Sequence, residues 1–312
     1  MKNIKVTVLL SAYNGEKYIK EQVDSILNQI NVNIKLIIRD DGSNEQFRKI
    51  LAKYAEYDKR IAVIYGDNKG VVSSFLELIE TAPESDYYAL ADQDDVWYED
   101  KLQRAVEMLE MEKKETALLY AANQNHVDKN RKFLIKHFES EPQISLTQEL
   151  FGNKFSGCTM VFNSKFLELM QNDKHLREIA FFRMHDTWMM FLALIYGKFI
   201  YDKMPVMDFR RHGNNVSNGG ISSESIKTKI KNNFLLIIGK KSNNYYVSKT
   251  ASILIKNCND RLSKSEKYNF DLIANYKFCL KKKIKLCFCY SFFKEVGISL
   301  PKAAIKIFLN RY

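Results

Sequence analysis

Val6-Thr7-Val8-Leu9-Leu10, followed at once by Ser11-Ala12-Tyr13-Asn14-Gly15, reads as an apolar strand ending in a polar loop. Between Lys17 and Ile30, residues Ile19, Val23, Ile26, Leu27 and Ile30 recur at helical spacing and give that helix one apolar face. Ile34 to Ile38 is a second strand, and the alternation continues with a helix over 47–57, a strand over 61–65, a helix over 71–80 and a strand over 87–91. Strands alternating with helices of this length form βαβ units with right-handed crossovers. They predict an α/β fold, a mostly parallel sheet flanked by helices. Ligands bind such sheets at the carboxyl ends of the strands.

A helix over 98–113 and a strand over 116–122 follow, and regularity then fades from Asn123 to Phe155. Residues 159–162 read as a strand, 185–196 as a helix, and 199–209 as strand material interrupted by Pro205. The spacing predicts a catalytic unit over 1–220 and a basic, helical region over 221–312. The first unit divides into a half near 1–122 and a second near 123–220.

With 312 residues the chain can bury a full core, and 46% hydrophobic residues against 4 prolines exclude a disordered or linker-dominated protein. No apolar run approaches the roughly 18 to 20 residues of a spanning helix. The short apolar start is too brief for a secretory signal, which predicts a cytoplasmic protein. Five cysteines without paired spacing fit a reduced compartment and argue against structural zinc. The net charge of +11 is unevenly spread. Residues 221–312 hold 19 Lys and Arg against 5 Asp and Glu, so the tail alone makes the chain basic. Such a region suits nucleic acid or an anionic lipid surface, and sign alone does not choose between them.

Three polar clusters fall at predicted strand ends: 11–15, Asp40-Asp41-Gly42-Ser43, and Asp92-Gln93-Asp94-Asp95. Three aspartates so close together repel unless a cation compensates them. Carboxylate oxygens suit Mg²⁺ or Mn²⁺, which keep positions for substrate phosphates. The plain alternative is a solvated acidic turn ahead of the next helix. No Gly-x-Gly-x-x-Gly follows the first strand, which excludes a Rossmann oxidoreductase.

Val8-Leu9-Leu10-Ser11-Ala12-Tyr13-Asn14-Gly15, then Arg39-Asp40-Asp41-Gly42-Ser43, then Ala91-Asp92-Gln93-Asp94-Asp95-Val96-Trp97 together resemble the family 2 glycosyltransferases, over about residues 4–215. The resemblance implies a GT-A fold and a nucleoside-diphosphate sugar donor. It implies donor contacts from Ser11, Ala12, Tyr13, Asn14, Asp41, Asp92 and Asp94, with the Tyr13 ring stacking on a pyrimidine and the Asp41 carboxylate accepting from its ring N3. Asp94 and Asp95 are the implied metal ligands for Mn²⁺ or Mg²⁺, and spacing does not decide between Asp92 and Asp95 as the closer one. His212, in Arg210-Arg211-His212-Gly213-Asn214-Asn215, is the implied third ligand, with a plain surface histidine as the alternative.

Transfer needs a base to take the acceptor's proton. Asp186, in Met184-His185-Asp186-Thr187-Trp188, resembles the family's catalytic aspartate, although aspartate is also a favoured helix N-cap. Gly157 and Cys158 resemble the acceptor-lining segment, and Trp188, with Trp97 less so, is expected as a platform for a sugar face unless it packs in the core. One carboxylate base without a second nucleophile implies inversion.

Single-sugar addition is expected, since no Gln-x-x-Arg-Trp segment of a processive synthase is present. The motifs look most like those of rhamnosyltransferases, which implies dTDP-rhamnose as donor; a galactosyl- or glucosyltransferase using a UDP-sugar is the alternative. The acceptor is expected to be a glycan, lipid-linked, in bacterial surface polysaccharide synthesis. Lys281-Lys282-Lys283-Ile284-Lys285 beside 286–293 is expected to meet the inner face of a plasma membrane or to pack on the core. Nucleic-acid binding, the remote reading of the basic tail, lacks any accompanying motif.

Overall fold

The computed structural model describes residues 4–212 and 246–310. Two compact units result: Met1–Gln143 with Asn153–His212, and Ile144–Gly152 with Gly213–Tyr312. The division expected near 220 and the stretch 213–217 lie outside the described residues.

The first unit is built on β1 (Lys5–Ala12), whose side chains are buried on both faces, as a near-continuous apolar run in a covered parallel sheet requires. It pairs in parallel with β2 (Asn33–Asp41) and β4 (Tyr87–Asp92), and β2 pairs in parallel with β3 (Ile61–Gly66). The connecting helices are α1 (Ile19–Leu27), α2 (Glu45–Tyr57) and α3 (Val71–Glu80). Each turns a helical stripe inward: Ile19, Val23 and Ile26 from α1, Phe47 and Leu51 from α2, Phe75, Leu76 and Ile79 from α3. Asn44 starts α2 by accepting from Phe47 N at 2.9 Å.

Beyond β4 the sheet turns mixed. Its order is β3-β2-β1-β4-β8-β6-β9-β5, with β5 (Val96–Trp97), β6 (Leu118–Val127), β8 (Val161–Asn163) and β9 (Lys198–Arg210). β8 runs antiparallel between β4 and β6, while β6 and β9 are parallel. The stretch expected to be irregular carries order. β6 continues to Val127 and pairs with β7 (Phe133–Lys136). Its polar residues hid the strand; Asn123, for example, is buried and bonds both backbone groups of Phe138. Pro205 does not end β9 but sits opposite Asn123 where the register slips, the place where a missing N–H is tolerated.

Helices α4 (Lys101–Glu110), α6 (Ser164–Asn172), α7 (Glu178–Arg183) and α8 (His185–Tyr196) complete this unit. The core runs from Val6, Val8 and Leu10 of β1 to Val206, Met207 and Phe209 of β9.

The second unit contains α5 (Leu146–Phe151), α9 (Tyr246–Cys258), α10 (Lys264–Asn275), α11 (Leu280–Cys287), α12 (Tyr290–Glu295) and α13 (Leu300–Phe308). Among the described residues, 246–310 are mostly helical. Residues 144–152, expected within the half near 123–220, group with these helices. Phe151 packs edge-on to Phe292 and Phe293, and Ser145 Oγ donates to Glu295 Oε1 at 2.6 Å. All five cysteines are free thiols.

Candidate active site

Register alone brings the polar clusters to one rim. Ser11 stands opposite Asp92 across β1–β4 and opposite Arg39 across β1–β2, and Ala12 stands opposite Asp40. Side-chain bonds then lock the loops together. Gln93 clamps the backbone of exposed Tyr13, accepting from its N at 2.8 Å and donating to its carbonyl at 3.0 Å. Asn14 N donates to Ser43 Oγ at 2.9 Å, and Asn44 N donates to Asn14 Oδ1 at 2.9 Å. Gly15 is required by the clamp, because a Cβ there would lie 2.2 Å from Gln93 Oε1. From α1, buried Gln22 donates to Asp92 O at 2.8 Å.

Asp41 is 3% exposed, and its oxygens accept from Lys69 N, Gly70 N and the Arg39 guanidinium at 2.9, 2.9 and 2.6 Å. A carboxylate has about four acceptor positions, so one is left over. Arg39 is itself fully buried and also reaches Glu77 and Ser74. Asp40 is buried as well and pairs with Arg48 at 2.8 Å.

The three expected metal ligands split between two neighbouring groups. Asp94 Oδ2 lies 2.7 Å from His212 Nε2, and the His212 ring stacks on Tyr18 at 5.0 Å. Asp95, fully buried where β5 begins to pair with β9, accepts from Arg210 N at 3.2 Å. Among the described residues, ligand atoms of Asp92, Asp95 and Cys158 lie within 4.8 Å of one another. Arg210 braces the first group: its Nε donates to Asp94 O at 2.9 Å, its Nη2 to Glu21 at 3.0 Å, and its guanidinium lies 4.6 Å from the Tyr18 ring centroid.

This acidic centre is short of positive charge. Burial, then the charges of Asp94 and Asp186, pushes the Asp92 carboxyl up to about 7; burial, then Asp94 and Asp92, pushes Asp95 well above the carboxylate range. Asp95 Oδ2 is buried without a hydrogen-bond partner. Burial raises the Cys158 thiol, so it stays protonated and is a poor ligand for a hard cation. A carboxylate–imidazole pair beside an unsatisfied buried carboxylate fits a divalent cation such as Mn²⁺.

Lys101 escaped the sequence reading, although its helical position in line with Ala105 and Leu109 put it on the buried face of α4. Its ammonium is fully buried, donates to Cys158 O at 2.5 Å and lies 3.3 Å from the Trp97 ring centroid. Burial lowers its pKa to about 7 against the opposing pull of Asp95 and Asp92.

Asp186 opens α8 and its Oδ1 accepts from Thr187 N at 2.6 Å. The turn at Gly157 and Cys158 links it to the acidic loop, since ligand atoms of Cys158, Asp92 and Asp95 lie within 4.8 Å of one another. Gly157 and Cys158 form a buried 3-10 turn beside Asp186. A Cβ on Gly157 would lie 3.5 Å from Asp186 Cβ and 2.8 Å from His185 Nε2. His185 was not singled out by sequence; it stacks on Phe75 at 4.2 Å, and both ring nitrogens are buried without hydrogen-bond partners.

The tryptophans are not sugar platforms. Trp188 is fully buried, with Nε1 donating to Asp173 at 2.8 Å, and Trp97 is 3% exposed. Both lie on inward faces of their elements, where the core takes the ring. A further group sits on β6, where Arg211 donates to His126 Nδ1, His126 Nε2 meets His137 Nδ1 at 3.1 Å, and His137 Nε2 meets Lys154 O at 2.8 Å. Arginine only donates and a carbonyl only accepts, which favours both imidazoles neutral with the proton on Nε2, and the Gln124 amide, 3.1 Å from His126 Nε2, then turns its oxygen to that proton.

The mixed α/β sheet gathers acidic loops at its carboxyl rim, and comparison with known proteins identifies the class of enzyme. The family model described as glycosyl transferase family 2 matches residues 7–170, just over half of the chain. The chain belongs to this family of glycosyltransferases. It is similar to the dTDP-rhamnosyl transferase RfbG of Shigella flexneri, with 29% identity over 88% of this chain and 95% of that protein. The putative teichuronic acid biosynthesis glycosyltransferase TuaG of Bacillus subtilis is 36% identical over 33% of this chain and 41% of its own. The S. aureus TarS 1-349 structure shares the fold at TM-score 0.58 and 14% identity, covering 99% of this chain and 89% of that one.

Proposed function

We propose that this glycosyltransferase moves a single sugar, L-rhamnose, from dTDP-rhamnose to a saccharide acceptor with inversion at the anomeric carbon. The observation that supports the reaction type is the Gly157–Cys158 turn, which borders Asp186 on one side and on the other holds Cys158 within 4.8 Å of the Asp92 and Asp95 ligand atoms. The similarity along nearly the whole length of a relative named a dTDP-rhamnosyl transferase supports the donor.

In this reading Ser11, Ala12, Tyr13 and Asn14 hold the nucleoside on a loop kept rigid by Gln93 and Ser43. Asp41 offers its remaining acceptor position to the base. Asp94 and His212, with Asp95 or Asp92, would hold Mn²⁺ or Mg²⁺, which supplies positive charge to the diphosphate as it departs. Asp186 takes the proton of the acceptor hydroxyl while that oxygen attacks the anomeric carbon from the side opposite the diphosphate. Gly157 and Cys158 leave room for the acceptor's approach. The acceptor is a lipid-linked glycan of bacterial surface polysaccharide assembly, reached from the inner face of a plasma membrane.

The test is a donor panel on the purified protein with Mn²⁺ or Mg²⁺. Hydrolysis and transfer should be fastest with dTDP-rhamnose. A strong preference for UDP-galactose or UDP-glucose would replace the rhamnosyl reading by a hexosyl one.

A further inference from the structure

Helices α11 and α13 of the second unit pack together, with Leu286, Ala303 and Ile307 buried, yet leave other large apolar side chains exposed. On α11 and its C-cap, Leu280, Ile284 and Phe288 recur every fourth residue and are 72%, 51% and 77% exposed, so they form one solvent-facing stripe. On α13, Ile305 and Phe308 stand out in the same way. Lys283 joins the two: its Nζ donates to Phe308 O at 3.2 Å and lies 5.8 Å from the Phe308 ring centroid. The two exposed rows therefore border one another.

Positive charge surrounds this apolar ground. Residues 277–310 carry eight lysines and one acidic residue, Glu295. Lys282 is paired with Asp271, whereas Lys281, Lys285 and Lys302 are exposed without an acidic partner among the described residues. Apolar and aromatic side chains ringed by long lysine stems are the composition that seats an interfacial helix, the chains entering the acyl boundary while the ammonium groups stay at headgroup level. No helix among the described residues is long and apolar enough to cross a membrane.

We propose that the α11–α13 face is a docking surface for an anionic bilayer, on which these helices lie flat. Charge selects this occupant. A second copy of the chain would bring lysines against lysines, which opposes association. The inference adds to the proposed function the surface that brings the enzyme to a lipid-linked acceptor, and its physical basis is independent of the donor chemistry.

Vesicle flotation of the full chain tests it, with phosphatidylcholine alone and with phosphatidylglycerol added. The protein should float with the anionic vesicles, release with salt, and stay behind with the neutral ones. Each lysine at an anionic surface contributes roughly fivefold in partitioning, so K281Q/K285Q/K302Q should weaken binding on the order of 100-fold, while K281R/K285R/K302R should retain it. L280S/F288S/F308S should also lose flotation, with circular dichroism and donor hydrolysis unchanged. Failure of the wild-type chain to float on anionic vesicles, indifference to the lysine and apolar variants, or equal capture by soluble polyglutamate would overturn the proposal. Flotation without donor hydrolysis would leave it standing and remove the glycosyl-transfer reading instead.

Discussion

Nε2 of His212 lies 2.7 Å from Oδ2 of Asp94, although 118 residues separate them. The strand β9 delivers the histidine to the rim, and Arg210, two residues earlier, fastens that strand to the Asp94-Asp95 loop through both its backbone N–H and its side chain. The pair is therefore held in place, which in the proposed function lowers the cost of gathering ligands around an ion.

His212→Ala and Asp94→Asn should each weaken Mn²⁺ binding at least tenfold, since each removes one of few protein donors. Titration followed by the spectroscopic signal of free Mn²⁺ reads this directly. Unchanged Mn²⁺ affinity in both variants would remove the pair from the metal site.

Gly15→Ala places a methyl group 2.2 Å from Gln93 Oε1 and 3.2 Å from Phe47 Cζ. The Gln93 side chain must leave, and both bonds to Tyr13 go with it. Loss of this clamp should cost about 1–3 kcal/mol and lower nucleoside-diphosphate affinity. Gln93→Ala removes the bonds without the clash, so adding it to Gly15→Ala should cost less than the two effects summed. Strict additivity in thermal and ligand titrations would show that the clamp does not couple the loops.

The neutral His126 predicts a pH effect. Burial, then the Arg211 charge, lowers its pKa to about 4, against an ordinary value of 6.5. Unfolding takes up a proton between those values, so stability falls as pH drops from 6.5 towards 4 and the penalty is absent above 6.5. After allowance for solvent screening the contribution is on the order of 1–3 kcal/mol. His126→Gln should flatten urea-denaturation stability across that window relative to wild type; parallel profiles would contradict the assignment.

Trp188→Phe should keep donor and acceptor kinetics near wild type while lowering stability by about 1–2 kcal/mol, through loss of the Nε1 bond to Asp173 and of packing. A raised KM for the acceptor with full stability would restore a sugar-platform role.

The rim was legible because apolar runs at 6–10, 34–38 and 87–91 end in polar clusters, and a parallel sheet aligns such ends. Asp186 stood out through its motif context alone, and its role belongs to the proposed function. The bonds that assemble these pieces were not, since Gln93, Ser43 and Arg210 act on partners 29 to 116 residues away, which no local period reveals. Polar strand residues such as Asn123 concealed the length of β6. For Trp188 the choice between sugar platform and core stayed open in the sequence, because an aromatic two residues from an aspartate looks alike on either face of a helix until the core is built. The grouping of 144–152 with the C-terminal helices depends on Phe151 meeting Phe292 and Phe293, again a contact of long range.

The claim that Asp186 is the base of a reaction organised by the acidic rim is tested most directly by single-turnover transfer with Asp186→Asn, alongside donor binding by calorimetry. Transfer should fall by about 10²-fold or more, the usual scale of a lost general base, with donor and Mn²⁺ affinities within a few-fold of wild type. Transfer at a near-normal rate, with the donor still bound, would contradict it.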